Sequence, residues 1–296
     1  MQIIKDFKTT NPFEVLTPDT QLFPFVFNSP HSGRCYPEDF VSASRLDRDM
    51  LRRSEDAYVD ELFSGVVDSG APMMRAHFPR AYLDLNREPY ELDPKMFHDH
   101  LPPYANIRSI RVAGGLGTVA RVVSDNQEIY TKRMAVGEAL DRIEAIYKPY
   151  HQVLRRVLAQ THVAFGCSIL VDCHSMPSIV RSGDGNSKPD FILGDRYGTS
   201  CAPDITECAA DILRAMGYSV SRNKPYAGGF ITEHYGRPVK GLHAIQIEVN
   251  RALYMDERAY ARSSNFQALA ADLTLFSRNL MCMAKDNLLP ERAAAE

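Results

Sequence analysis

Ser168-Ile169-Leu170-Val171 runs directly into Asp172-Cys173-His174-Ser175. A short apolar run with β-branched residues reads as a buried strand, and a strand apolar on both faces belongs inside a mainly parallel sheet. The same form recurs upstream, where residues 23–27 end in Asn28-Ser29-Pro30. Downstream, residues 243–249 form a β-rich alternating run that leads into Asn250-Arg251. Residues 73–76, 82–85 and 191–193 read as further short strands. Helical spacing fills the intervals. Tyr58, Leu62 and Val66 mark a helix over about 55–68 that Gly70 ends. Asp125 and Glu128 form a capping-box signature ahead of a long helix, whose buried face is Val136, Leu140, Ile143, Tyr147, Tyr150, Leu154 and Val157. Pro149 lies within it and is expected to kink or divide it. Ile205, Cys208, Ile212 and Met216 mark another helix, with Pro203 in its first turn and Gly217 at its end. The last carries Phe266, Leu269, Leu273, Phe276, Leu280 and Met283 on one face. The pattern predicts an α/β fold, a mixed and mainly parallel sheet flanked by helices, in one domain over residues 1–296.

Composition bounds the function. A chain of 296 residues buries enough apolar surface to fold without a metal or disulfide. Its 45% hydrophobic and 24% charged residues are ordinary for a globular protein, and a formal charge of −3 offers no global attraction to nucleic acid or anionic membrane. No run approaches the length of a membrane span, and the N-terminus lacks the apolar core of a signal peptide. The six cysteines are scattered without a C-x-x-C pair, which reads as reduced thiols in a cytoplasmic protein.

Polar residues just beyond strand ends are the ones placed to meet ligands in an α/β sheet. Four such clusters stand out: Asn28-Ser29-Pro30-His31-Ser32-Gly33, Asp84-Leu85-Asn86-Arg87, Asp172-Cys173-His174-Ser175 and Glu248-Val249-Asn250-Arg251. Each has an ordinary structural reading as well: a hydrogen-bonded loop histidine, an aspartate capping a turn, a surface arginine. Glu248 between Ile247 and Val249 either faces solvent across the strand or is paired, neutral or working. The chain has no H-E-x-x-H, G-x-S-x-G, P-loop or G-x-G-x-x-G signature, and Gly115-Leu116-Gly117 lacks the context of a phosphate loop.

Taken in order, Ser29-Pro30-His31-Ser32-Gly33, Ser54-Glu55-Asp56-Ala57-Tyr58-Val59-Asp60, Arg80 through Pro89, Val171 through Pro177, Pro225 through Thr232 and Gln246 through Arg251 resemble the N-formylglutamate amidohydrolase family. That family is similar in fold to zinc carboxypeptidases and aspartoacylases. The His-x-x-Glu ligand pattern of those enzymes is missing, because Arg34 stands three residues after His31. The resemblance therefore implies one zinc ion held by His31, Asp56 and His174, with neighbouring Glu55 the alternative carboxylate. Three protein ligands leave an open position, the composition of a catalytic zinc site; manganese or cobalt suits such donors as well.

By the same resemblance Glu248 takes and passes the proton, and Arg80 steadies the developing oxyanion. Asn86 and Arg87 grip a substrate carboxylate. A second carboxylate falls to Arg251, Arg121, Arg181 or His234, with Gly229 bringing backbone N–H groups close. The implied reaction converts N-formyl-L-glutamate to L-glutamate and formate, a step of histidine degradation, with a small-molecule N-acyl amino acid as the only implied partner and a homo-oligomer left open. Three rivals remain: a deacylase for another N-acyl acidic amino acid, a non-catalytic binding protein of the same fold, and a cysteine hydrolase using Cys173 with His174. Adjacent strand residues point to opposite faces, which counts against the last.

Overall fold

A computed structural model describes residues 11–123, 126–181 and 188–288. Seven strands form one sheet: β1 (Phe13–Leu16), β2 (Phe25–Ser29), β3 (Met73–Ala76), β4 (Ser168–Met176), β5 (Phe191–Gly194), β6 (Val220–Arg222) and β7 (Leu242–Asn250). Their order is β1-β3-β2-β4-β7-β5-β6. β2 pairs with β4 in parallel, β4 with β7 in parallel, and β5 with β6 in parallel, while β5 and β7 run antiparallel. The α/β class and the mainly parallel mixed sheet are as the sequence predicts.

Two compact units divide the chain, each built from several separate stretches. Of the described residues, one comprises those up to Glu14, Pro30–Ala57 and Arg75–Leu154, and the other comprises Val15–Ser29, Tyr58–Met74 and those from Arg155 on. In the second unit the centre of the sheet is fully covered. Phe25, Phe27, Ile169, Leu170, Val171, Ala244, Ile245, Ile247 and Val249 have no solvent exposure. Burying each of the larger ones contributes about 1.5–3 kcal/mol, which fixes the register of the three central strands. The helices Pro203–Ala215 and Phe266–Leu288 pack on each other in this unit.

Several local expectations change. The 55–68 helix is two short ones, Val59–Leu62 and Gly65–Asp68, with Tyr58 in a left-handed conformation at the first start. Residues 82–85 form no strand. The N–H groups of Tyr82 and Leu83 both turn back to the carbonyl of Pro79, and Asp84 N–H goes to Thr118. With three of its four backbone N–H groups committed in this way, the segment does not build a ladder. Of the expected capping box, Asp125 lies outside the described residues, and Glu128 belongs to a two-residue strand, Gln127–Glu128, paired with Val122–Val123.

The helix starts later, at Val136–Arg142. The break expected at Pro149 occurs just before it, as a π-helical turn over Ile143–Tyr147 ahead of Lys148–Phe165. Proline cannot donate to the carbonyl four residues back, and the backbone widens there to compensate. No helix among the described residues is long and apolar enough to cross a membrane.

Candidate metal centre and active site

In the second unit the chemistry lies within the strands, not beyond their ends. β4 continues through Asp172, Cys173 and His174 to Met176, and β7 includes Glu248 and Asn250. Residues two apart on a strand share a face. Asp172 and His174 therefore meet: the carboxylate Oδ2 lies 2.7 Å from His174 Nε2. Asn28, opposite Asp172 in the β2–β4 register, donates its amide to the other carboxylate oxygen at 2.7 Å.

Across the β4–β7 register, Asp172 stands beside Gln246 and His174 beside Glu248, so all four share one face of the sheet. Gln246 Nε2 donates to Glu248 Oε1 at 2.7 Å, while Gln246 Oε1 accepts the Gly229 N–H at 2.9 Å. Gly228 has φ +114°, and a side chain there would meet Thr232, which is why this turn needs a glycine. Arg251 Nε donates to Ser175 Oγ at 3.0 Å. His234 is exposed and stacks on Phe230, with ring centroids 4.9 Å apart.

In the first unit His31 follows β2 by two residues. The loop turns tightly because Gly33 sits against the Phe78 carbonyl, 2.1 Å from where a Cβ would lie. The His31 carbonyl accepts the Asp56 N–H at 3.0 Å, and His31 Nδ1 is 3.3 Å from Asp56 Oδ2. Its other nitrogen, Nε2, is 2.9 Å from Asp84 Oδ1. Asp84 is a hub. Arg80 Nε reaches its Oδ2 at 2.9 Å, Arg87 Nη2 at 3.5 Å, and the Asn86 N–H caps Oδ1 at 2.8 Å.

Burial alone would push the Asp84 carboxyl up, but the two guanidiniums and His31 outweigh it and hold it well below the usual range. Arg87 is buried, which pushes it down to about 10. It donates to the carbonyls of Leu116 and Asn86 at 2.9 and 2.7 Å. Tyr147 and His151 brace the same segment through the carbonyls of Arg87 and Leu85. Arg121 is engaged by Asp93 at 2.7 Å and Glu128 at 3.3 Å, and Arg181 is exposed beside residues outside the description.

His31, Asp56 and His174 form a group whose ligand atoms all lie within 4.8 Å of one another. Glu55, the alternative carboxylate, instead accepts from Tyr36 at 2.6 Å and pairs with Arg52 at 3.3 Å. The donor set fits a divalent metal. Each imidazole has its Nε2 against a carboxylate, Asp84 or Asp172, which fixes the ring's orientation. Cys173 lies on the opposite face of β4 from His174. Burial, and after it the charge of Asp172, raise its thiol well above the ordinary value, so it stays protonated.

Three residues with evident positioning roles had none in the sequence reading: Asp84, Asp172 and Gln246. The latter two were detectable, because Asp-x-His and Gln-x-Glu on a strand are same-face pairs.

The sequence model of N-formylglutamate amidohydrolase matches residues 23–255. An N-formylglutamate deformylase of Pseudomonas aeruginosa is 31% identical over 254 residues, covering 83% of this chain and 87% of that protein. One from Pseudomonas putida is 31% identical over 237 residues, 79% and 82% of the two chains. The crystal structure of N-formylglutamate amidohydrolase from Ralstonia eutropha JMP134 superposes with a TM-score of 0.87 at 33% identity, covering 94% of this chain and 99% of that one.

Proposed function

The chain belongs to the N-formylglutamate amidohydrolase family, and from that premise we propose that it hydrolyses N-formyl-L-glutamate to L-glutamate and formate with one zinc ion. The observation that carries this reading is the His31, Asp56 and His174 group with its two carboxylate-held imidazoles. Two imidazoles and one carboxylate suit zinc. Held by these residues, a zinc ion would supply Lewis acidity toward the formyl carbonyl and water. The interleaving of the two units along the chain supports reading residues 1–296 as one catalytic domain.

The chain's own residues do the rest. Glu248 takes a proton from water as its oxygen bonds to the formyl carbon. It then delivers that proton to the amide nitrogen as the C–N bond breaks, so glutamate leaves with its amine and formate keeps the water oxygen. Gln246 holds the Glu248 carboxylate in place through the 2.7 Å bond. Arg80, whose side chain is 29% exposed and whose Nε pairs with Asp84, is assigned to the developing oxyanion. Asn86 and Arg87 take one substrate carboxylate, and Arg251, His234 and the Gly229 turn are assigned the other.

The test is formate release from N-formyl-L-glutamate beside N-formyl-L-glutamine and N-acetyl-L-glutamate. The reading expects kcat/KM to favour the first by at least about tenfold over each analogue, since a missing charge or an added methyl leaves part of the site unmatched. Equal or better turnover of either analogue would reassign the substrate.

A further inference from the structure

The first unit carries a half-open cavity of about 500 Å³ that shares no lining residue with the metal-ligand group. Its walls come from residues 37–43, from Tyr82 and from residues 130–142. Among the lining residues is Arg142, only 6% exposed. The guanidinium carbon sits 4.1 Å from the centroid of the Tyr82 ring, with Phe40 and Tyr130 at 5.9 and 6.0 Å. Nη1 donates to the Tyr82 carbonyl at 3.1 Å and to the Tyr130 hydroxyl at 2.9 Å. Nε has no hydrogen-bond partner, and no carboxylate comes within ion-pair distance of the group among the described residues.

The guanidinium's direct contacts are neutral ring faces, a hydroxyl and a carbonyl, which replace only part of its hydration, and the exposed carboxylate of Glu138 attracts it only from beyond ion-pair distance. A carboxylate entering the cavity would supply a counter-charge at ion-pair range to the part of the guanidinium that lines it, while the unpartnered Nε is itself sealed from solvent. The charges around the cavity narrow the choice. Lys132 and Arg133 are exposed and attract an anion, while Asp39 and Glu138 are exposed carboxylates that repel a second negative charge. Phe40, Tyr82 and Met134 provide an apolar wall for a flat body.

We propose that this cavity is a second binding site, specific for a small organic monocarboxylate with an apolar body, paired to Arg142. The site stands apart from the hydrolytic reading and does not depend on it.

The test titrates benzoate into the full-length protein by ligand-observed NMR, with benzamide as the neutral isostere. Benzoate is expected to saturate one site per chain at millimolar concentration or below, with benzamide at least about tenfold weaker. Ala43→Trp places bulk at the exposed mouth without touching the buried arginine, and is expected to abolish binding at an unchanged melting temperature. Arg142→Gln is expected to weaken it at least about tenfold. The proposal is overturned if benzoate does not bind at millimolar concentration, or if benzamide binds as well. It is equally overturned if Ala43→Trp binds benzoate as the unaltered protein does, since the ligand then sits elsewhere.

Discussion

His31 Nε2 and Asp84 Oδ1 are 2.9 Å apart, and this contact fixes which nitrogen of His31 faces Asp56. The carboxylate is itself held by Arg80 and Arg87, so the imidazole is oriented by a group with little freedom of its own. Asp84→Asn keeps an acceptor but removes the charge that raises the basicity of the ring. Metal affinity should fall about 10- to 100-fold, measured by equilibrium dialysis against a buffered zinc series. Unaltered affinity would show that His31 needs no such partner.

Gln246 bridges the Gly229 N–H and Glu248. Gln246→Leu removes one hydrogen bond to a carboxylate, an interaction of about 1.5–3 kcal/mol, so kcat should drop about 10- to 100-fold with KM little changed. A variant that only melts earlier, with kcat unchanged, would reduce Gln246 to a packing role.

Cys173→Ala separates the metal mechanism from a thiol one. The buried thiol stays protonated and lies across the strand from His174. The variant should keep kcat within about threefold and lose about 1 kcal/mol of stability in urea unfolding. Loss of turnover by several orders of magnitude would revive the cysteine reading.

Asp195 gives the acid dependence of stability. Burial opposes its ionisation, but the Asn223 amide at 2.7 Å, the Gly198 N–H at 3.0 Å and Arg222 at 3.1 Å prevail and lower its pKa. A carboxyl depressed in the folded state stabilises at pH above its unfolded value of about 3.9, and that contribution is lost as pH falls through the folded value. Asp195→Asn should therefore be less stable at neutral pH and lose less stability on acidification. Parallel stability–pH curves for the two proteins would refute this.

The central strands were legible because continuous apolar runs such as Ser168-Ile169-Leu170-Val171 leave no other use for them, and all four residues are buried. The long helix was legible by its buried face, with Val136, Ile143, Tyr147, Tyr150 and Leu154 all inside. Its start was not, because the Asp125/Glu128 spacing imitates a cap where Gln127 and Glu128 pair as a strand instead. The 82–85 turn read as a strand because its alternation hides the carbonyl of Pro79, which takes two of its donors. At the site, residue types near strand ends suggested His31, His174 and Glu248, and family resemblance supplied their roles. The His31–Asp84 contact spans 53 residues. No local spacing encodes a pairing of that length.

The most direct test is formate release from N-formyl-L-glutamate before chelation, after chelation, and after zinc is restored. Turnover that vanishes with the metal and returns with it, but stays absent in Glu248→Gln throughout, is the predicted result. Full turnover after complete metal removal, or in Glu248→Gln, would contradict it.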